Sequence, residues 1–85
     1  MTNGDIAHKL REHAAELARG GDNLYRVRAF RQAAMAVLGL PDEVEALVSA
    51  GGQKALERVP GIGKSLAGTI AGLVRGEDRK LTPAA

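Results

Sequence analysis

Glycines divide this sequence into short segments, and that division restricts the fold more than any other feature. They occur at Gly20 and Gly21, at Gly39, at Gly51 and Gly52, and around Ile62. Between them, apolar residues recur at spacings of three and four, which is the period of an amphipathic helix ended by glycine. No segment alternates like a strand. The sequence predicts an all-α fold, a compact bundle of four to five short helices.

The helix limits follow from capping and turn residues. Asn3 or Asp5 would cap the first helix, Asn23 precedes the second, and Pro41 would occupy the first turn of the third. A short fourth helix is expected at residues 53–58 and a last one at residues 64–75. The residues predicted to face the core are Ile6, Leu10, Ala14, Leu17, Val27, Phe30, Ala34, Val37, Leu38, Val44, Leu47, Val48, Ala55, Leu56, Leu66, Ile70, Leu73 and Val74.

The size and composition of the chain restrict its class. Its 85 residues make one domain, residues 1–85, with an ordered core expected at about 4–76 and a flexible tail at 77–85. The chain has no cysteine, which excludes disulfides and thiolate zinc sites. It also has no apolar run of the ~20 residues that a membrane helix needs. The first residues lack the pattern of a signal peptide. We therefore expect a cytoplasmic protein without a membrane partner.

Basic residues are concentrated in two parts of the chain. Residues 23–40 contain Arg26, Arg28 and Arg31 and no acid, and residues 51–85 contain six bases and three acids. The intervening residues 41–50 are acidic. A fold that brings the two basic parts together would have a positive face able to bind phosphate. An ordinary solvated face is the alternative for these arginines.

The turn at Val59-Pro-Gly-Ile-Gly-Lys indicates a phosphate site. Gly61 and Gly63 allow positive φ and let a ligand approach the backbone. Free N–H groups at the start of the following helix, together with the charge of Lys64, would attract an anion. A turn without a ligand is the alternative. A P-loop is not indicated, because Arg58 stands where that motif requires glycine and no strand precedes it.

Two motifs resemble a known family. Val59-Pro-Gly-Ile-Gly-Lys-Ser-Leu-Ala resembles the helix-hairpin-helix of DNA repair proteins. Asn23-Leu-Tyr-Arg-Val-Arg-Ala-Phe-Arg-Gln-Ala-Ala, followed by Leu-Gly-Leu-Pro, resembles the amino-terminal domain of family X DNA polymerases, especially the bacterial ones. The likeness covers about residues 5–76. It implies sequence-independent DNA binding, in which hairpin amides contact backbone phosphates.

The resemblance also implies individual roles. Carbonyls that hold a monovalent cation, Na⁺ or K⁺, would belong to Glu57, Val59 and Ile62. A base-stacking position would fall on Tyr25. The pocket for a 5′-phosphate would comprise Arg26, Phe30, Ser65 and Lys80.

The sequence departs from the lyase members of that family. Their nucleophilic lysine aligns with Thr69, which cannot form a Schiff base, and a second pocket lysine aligns with Ser65. No polymerase domain is present in these residues. We therefore expect no enzymatic activity and no small-molecule substrate.

Three interpretations of function follow. The first is non-catalytic, sequence-nonspecific DNA binding in repair, with a preference for gapped or 5′-phosphorylated DNA and a location at the nucleoid. The second is an adaptor that binds proteins of a repair or replication complex. The third is a residual abasic-site lyase that uses Lys64 or another amine.

Overall fold

The computed structural model describes residues 1–76, which form four helices. These are α1 (Asn3–Arg19), α2 (Leu24–Leu38), α3 (Val44–Glu57) and α4 (Lys64–Val74). The described residues include no strand, so the all-α prediction is confirmed. The predicted tail at 77–85, and with it Lys80, lies outside the described residues.

The helices form two pairs around one core. A short connection joins α1 to α2, which pack against each other, and α3 packs against α4 in the same way. Both pairs share a core to which Ile62, in the turn before α4, also contributes. The buried apolar residues are Ile6, Ala7, Leu10, Ala14, Val27, Phe30, Ala33, Ala34, Val37, Val44, Leu56, Ile62, Leu66, Ala67, Ile70, Ala71 and Leu73.

Most of the residues predicted to face the core are buried or half-buried, but the prediction for Leu38 is wrong. Its side chain is 49% exposed, whereas the preceding Val37 is fully buried. Adjacent helical residues differ in direction by about 100°. Leu38 therefore points away from the core that Val37 enters. Leu17, Leu47, Val48, Ala55 and Val74 are half-buried.

The start of α1 is capped by Thr2, not by Asn3 or Asp5 as predicted. The Thr2 hydroxyl accepts the Asp5 N–H at 3.1 Å, and the Asp5 carboxylate accepts the Thr2 N–H at 3.1 Å. This reciprocal pair is a capping box, which satisfies two amides at the helix start. Asp5 takes part as the third residue of α1. The hydrogen bond from the Thr2 N–H to the carboxylate, followed by an interaction with the Thr2 side chain, lowers the pKa of Asp5 below its ordinary value of 3.8.

The capping box gives the stability of the domain a component that depends on pH. Because the pKa of Asp5 is lower in the folded chain, its contribution is complete above about pH 4 and is lost as pH falls through the folded-state value. Asp5→Asn should therefore reduce the loss of stability on acidification, at the cost of lower stability near neutral pH. Urea unfolding curves between pH 2.5 and 7 measure this difference. If the free energy of unfolding falls equally with pH in the two proteins, the assignment is contradicted.

Asn3 caps α3 instead of α1. Its side-chain oxygen accepts the Val44 N–H at 2.8 Å, and its side-chain nitrogen donates to the Asp42 carbonyl at 2.9 Å. Glu43, at the position before α3, makes no side-chain cap of its own. The prediction that Pro41 lies in the first turn of this helix is therefore wrong. Asn3 holds the preceding residues outside the helix, which begins at Val44.

The predicted break after Gly51 and Gly52 is present within α3. Gly52 has φ 64° and ψ −161°, which is not a helical conformation. An L-residue rarely adopts a positive φ, whereas glycine does so at little cost. The predicted short fourth helix is thus the second part of α3, on the far side of this break. It leads directly into the turn before α4.

Candidate nucleic-acid interface

The turn between α3 and α4 is closed by short backbone hydrogen bonds. The Val59 N–H donates to the Leu56 carbonyl, and the Ile62 N–H donates to the Val59 carbonyl, both at 3.0 Å. Ile62 is 4% exposed, so its side chain anchors the turn in the core. The turn is therefore held in one shape by its own backbone and by a buried side chain.

The two turn glycines are required for different reasons. Gly61 has φ 94°, and a Cβ atom there would lie 3.3 Å from the Ala36 Cβ and 3.7 Å from the Gln32 carbonyl oxygen. The turn thus packs closely against α2 at Gly61. Gly63 has φ −82°, which any residue adopts, and open space lies where its Cβ would be. Gly63 therefore leaves its backbone open to a ligand on the side where a Cβ would lie.

Gly63 precedes a helix start whose amides are free. The first helical hydrogen bond of α4 runs from the Ala67 N–H to the Gly63 carbonyl at 2.8 Å, and no side chain caps this end. Within the described residues, the N–H groups of Lys64, Ser65 and Leu66 therefore have no protein acceptor. Such groups carry the positive end of the helix dipole and bind anions.

These free amides lie beside an open cleft of about 800 Å³ between α2 and the turn. The predicted DNA-contacting residues Tyr25, Arg26, Gly61, Gly63, Lys64 and Ser65 line it. Phe30 and Thr69 also line it. Ala29, Gln32, Ile62 and Leu66 complete the lining. The fold thus brings two segments that are distant in sequence to one site.

The cleft has a positive lining. Among residues 1–76, its charged lining residues are Arg26 and Lys64, and no carboxylate contributes to it. Just outside, Asp22 pairs with Arg26, with 3.3 Å between Oδ2 and Nη1. Both side chains are partly exposed, so this i,i+4 pair is weak and a phosphate can compete for the arginine. The geometry and charge suit an anionic, extended ligand.

Comparison with known families agrees with this geometry. The family model of the helix-hairpin-helix domain matches residues 1–78. The chain belongs to this family. Helix-hairpin-helix domains typically bind nucleic acid, which supports DNA as a partner. No curated protein and no solved structure matches the chain. None of the helices among residues 1–76 is long and apolar enough to span a membrane.

Two of the predicted site residues on α2, Arg28 and Arg31, do not reach the cleft. Both are exposed, but neither lines it. Arg26 lies on the side of α2 that faces the turn, and the other two lie on the outward side. Their predicted contact with DNA stays a prediction.

The two aromatic residues of the cleft differ in exposure. Tyr25 is 85% exposed at the edge of the cleft, so its ring is available for stacking. Phe30 is 7% exposed, and its ring meets that of buried His13 edge-on, with 4.7 Å between ring centroids. Phe30 therefore belongs mainly to the core and forms the inner wall of the cleft.

Sequence reasoning did not assign Ala29 and Gln32 to the cleft. Both lie on the side of α2 against which the turn packs, and that packing depends on the close approach at Gly61. Neither residue carries a charge or a motif that would mark it. Only the docking of two segments reveals their place.

The carbonyls assigned to a monovalent cation lie at the hairpin. The Val59 carbonyl already accepts the Ile62 N–H, which leaves it one lone pair. The carbonyls of Glu57 and Ile62 accept no backbone hydrogen bond from the described residues. Uncharged oxygens with free lone pairs are the type of ligand that Na⁺ or K⁺ takes, and the assignment of these three carbonyls to such an ion stays a prediction.

Proposed function

We propose that this helix-hairpin-helix domain binds DNA without sequence preference, through the backbone phosphates. The observation that carries the proposal is that the free amides at the start of α4 meet Arg26 and Lys64 in one cleft, to which no carboxylate of the described part of the chain contributes. Amides and cations recognise phosphate oxygens irrespective of the base. The DNA would lie with one phosphate against Gly63, where no side chain intervenes.

We propose further that the domain prefers gapped or 5′-phosphorylated DNA and acts in repair, as the resemblance to family X polymerases implies. An exposed tyrosine beside a phosphate site suits a strand end, because an unpaired or terminal base can stack on it. Binding to chromosomal DNA would place the protein at the nucleoid. A Na⁺ or K⁺ ion on the carbonyls of Glu57, Val59 and Ile62 would supply a bridge between the turn and a phosphate.

Titration with labelled duplex, single-stranded and one-nucleotide-gapped DNA at several salt concentrations tests this function. Three or four phosphate contacts give a slope of roughly −3 to −4 in a plot of log K against log salt. We expect the tightest binding on gapped DNA with a 5′-phosphate. Equal affinity for gapped and intact duplex would refute the preference for ends, and absence of binding at low salt would refute DNA binding.

Lys64→Ala should flatten the salt slope by about one unit, because one cation contact with phosphate is lost. The matched control is Lys54→Ala. Lys54 is an exposed lysine of α3 that does not line the cleft, and its removal should leave the slope unchanged. Fluorescence anisotropy with the gapped substrate measures both slopes. Equal slopes in the two variants would remove Lys64 from the site.

The proposed function is non-catalytic. Thr69 lines the cleft where a lyase would have its lysine, and its hydroxyl donates to the Ser65 carbonyl at 3.3 Å. A hydroxyl does not form the Schiff base of a lyase. Lys64 provides an amine in the same cleft, so lyase activity is tested directly with an abasic substrate and borohydride. Trapping of a covalent complex that Lys64→Ala abolishes would establish the lyase instead.

A further inference from the structure

The outward face of α2 carries exposed apolar side chains that the DNA cleft does not use. Four large hydrophobic residues are exposed among residues 1–76, and all four lie on α2: Leu24, Tyr25, Met35 and Leu38. Tyr25 belongs to the cleft. The other three are 63%, 64% and 49% exposed and do not line it. Their concentration on one helix requires an explanation beyond phosphate binding.

These three residues form a stripe along the helix together with two arginines. The positions are Leu24, Arg28, Arg31, Met35 and Leu38, which we call the α2 stripe. Their spacings of four, three, four and three residues place them on one face of a helix. The core face is formed by Val27, Ala33, Ala34 and Val37, which are buried. The α2 stripe is therefore directed away from the core, and none of its residues lines the cleft.

The spacing of the stripe suits a second helix. Two helices that cross at a small angle contact each other through residues at alternating spacings of three and four. The stripe spans fourteen helical steps, or about 21 Å, which is enough for several turns of contact. Three apolar side chains would be covered in such a pairing. A partner helix thus needs apolar residues along one face.

The charge of the stripe defines the rest of the partner. Residues 24–38 contain three arginines and no acidic residue, and two of these arginines lie at the middle of the stripe. A partner with Asp or Glu beside its apolar face would complement them. A second copy of α2 packed antiparallel on the stripe would place Arg31 of one copy opposite Arg31 of the other. Repulsion between these like charges disfavours such a dimer. If DNA lay on the stripe, the apolar side chains of Leu24, Met35 and Leu38 would face charged phosphates, which is unfavourable.

We propose that the α2 stripe docks an acidic amphipathic helix of a partner protein. The apolar side chains at its two ends supply contact area, and Arg28 and Arg31 select the acidic partner. Because no residue of the stripe lines the cleft, the same domain can hold DNA and this helix together. The stripe thus accounts for the two arginines that the fold does not bring to the cleft.

The test uses a labelled synthetic helix of about 18 residues, long enough to cover the stripe. It carries leucines on one face with flanking glutamates, and a twin peptide has lysine in place of each glutamate. Fluorescence anisotropy against the 85-residue chain should show binding of the acidic peptide and at least about tenfold weaker binding of its twin. Equal binding of the two peptides would overturn the proposal.

Two double variants make the test specific. The double variant Met35→Ser, Leu38→Ser should bind the acidic peptide about tenfold more weakly. Its affinity for DNA should be unchanged, since neither residue lines the cleft. Arg28→Glu with Arg31→Glu should reverse the preference, so that the lysine peptide binds better. Lys64→Ala should leave peptide binding unchanged. Circular dichroism confirms the fold of each variant.

Other occupants of the stripe give different results. A dimer in light scattering that the serine variant abolishes would identify a second copy and overturn the proposal. A flatter DNA salt slope for the glutamate variant, without an effect on peptide binding, would assign the arginines to DNA and also overturn it. Neither result bears on Lys64 and the cleft, so this proposal fails independently of the proposed DNA binding.

Discussion

Replacing Gly61 by alanine is expected to destabilise the domain by about 2 kcal/mol and to weaken DNA binding. The first cost comes from φ 94°, since a non-glycine residue in a positive-φ conformation costs about 1–3 kcal/mol. The second comes from the new Cβ, which would lie 3.3 Å from the Ala36 Cβ. Relief of this contact moves the turn away from α2 and widens the cleft.

Gly63→Ala is the matched control for that substitution. Gly63 has an ordinary φ of −82° and open space where a Cβ would lie, so the loss of stability should stay below about 1 kcal/mol. DNA binding should nevertheless weaken, because the methyl group occupies the place proposed for a phosphate. Urea unfolding and anisotropy at low temperature separate the two effects. Equal losses of stability in both variants would contradict the distinction between the two glycines.

Leu56→Ala is expected to have the largest effect on stability of any change considered for this domain. Leu56 is 0% exposed near the end of α3, where the second pair of helices meets the core. Truncation of a buried leucine costs about 2–5 kcal/mol, because it removes apolar contacts and leaves a cavity. The total free energy of unfolding of a small domain is about 5–15 kcal/mol. Much of the stability should therefore be lost.

Leu38→Ala provides the control, since the same atoms are removed from a side chain that is 49% exposed. The free energy of unfolding should change by less than about 1 kcal/mol. In thermal melts followed by circular dichroism, Leu56→Ala should lower Tm by about 10 °C or more, and Leu38→Ala by a few degrees at most. A large loss from Leu38→Ala would show that this residue is buried after all.

The sequence predicted the helices well because their signals are local. Apolar spacing placed Ile6, Leu10, Ile70 and Leu73 in the core, where all are fully or nearly fully buried. Glycines marked the helix ends and the break at Gly52. These signals depend only on neighbouring residues, so they need no knowledge of the tertiary fold.

The errors occurred where a distant residue decides a local structure. Asn3 was assigned to the start of its own helix, yet its side chain caps Val44, which is 41 residues away. α3 consequently begins after Pro41 rather than around it. Leu38 satisfied the helical period but points away from the core that Val37 enters. Nothing local to either residue distinguishes these outcomes.

The candidate site divides in the same way. The sequence by itself determined the turn, its two glycines, the free amides at the start of α4 and the basic character of α2, because each is a property of a few consecutive residues. Only the tertiary structure decided which arginine faces the turn. Close packing at Gly61 brings Arg26 and Lys64 into one cleft and leaves Arg28 and Arg31 outside its lining. A helix presents arginines in several directions, and only the docking of its neighbour selects among them.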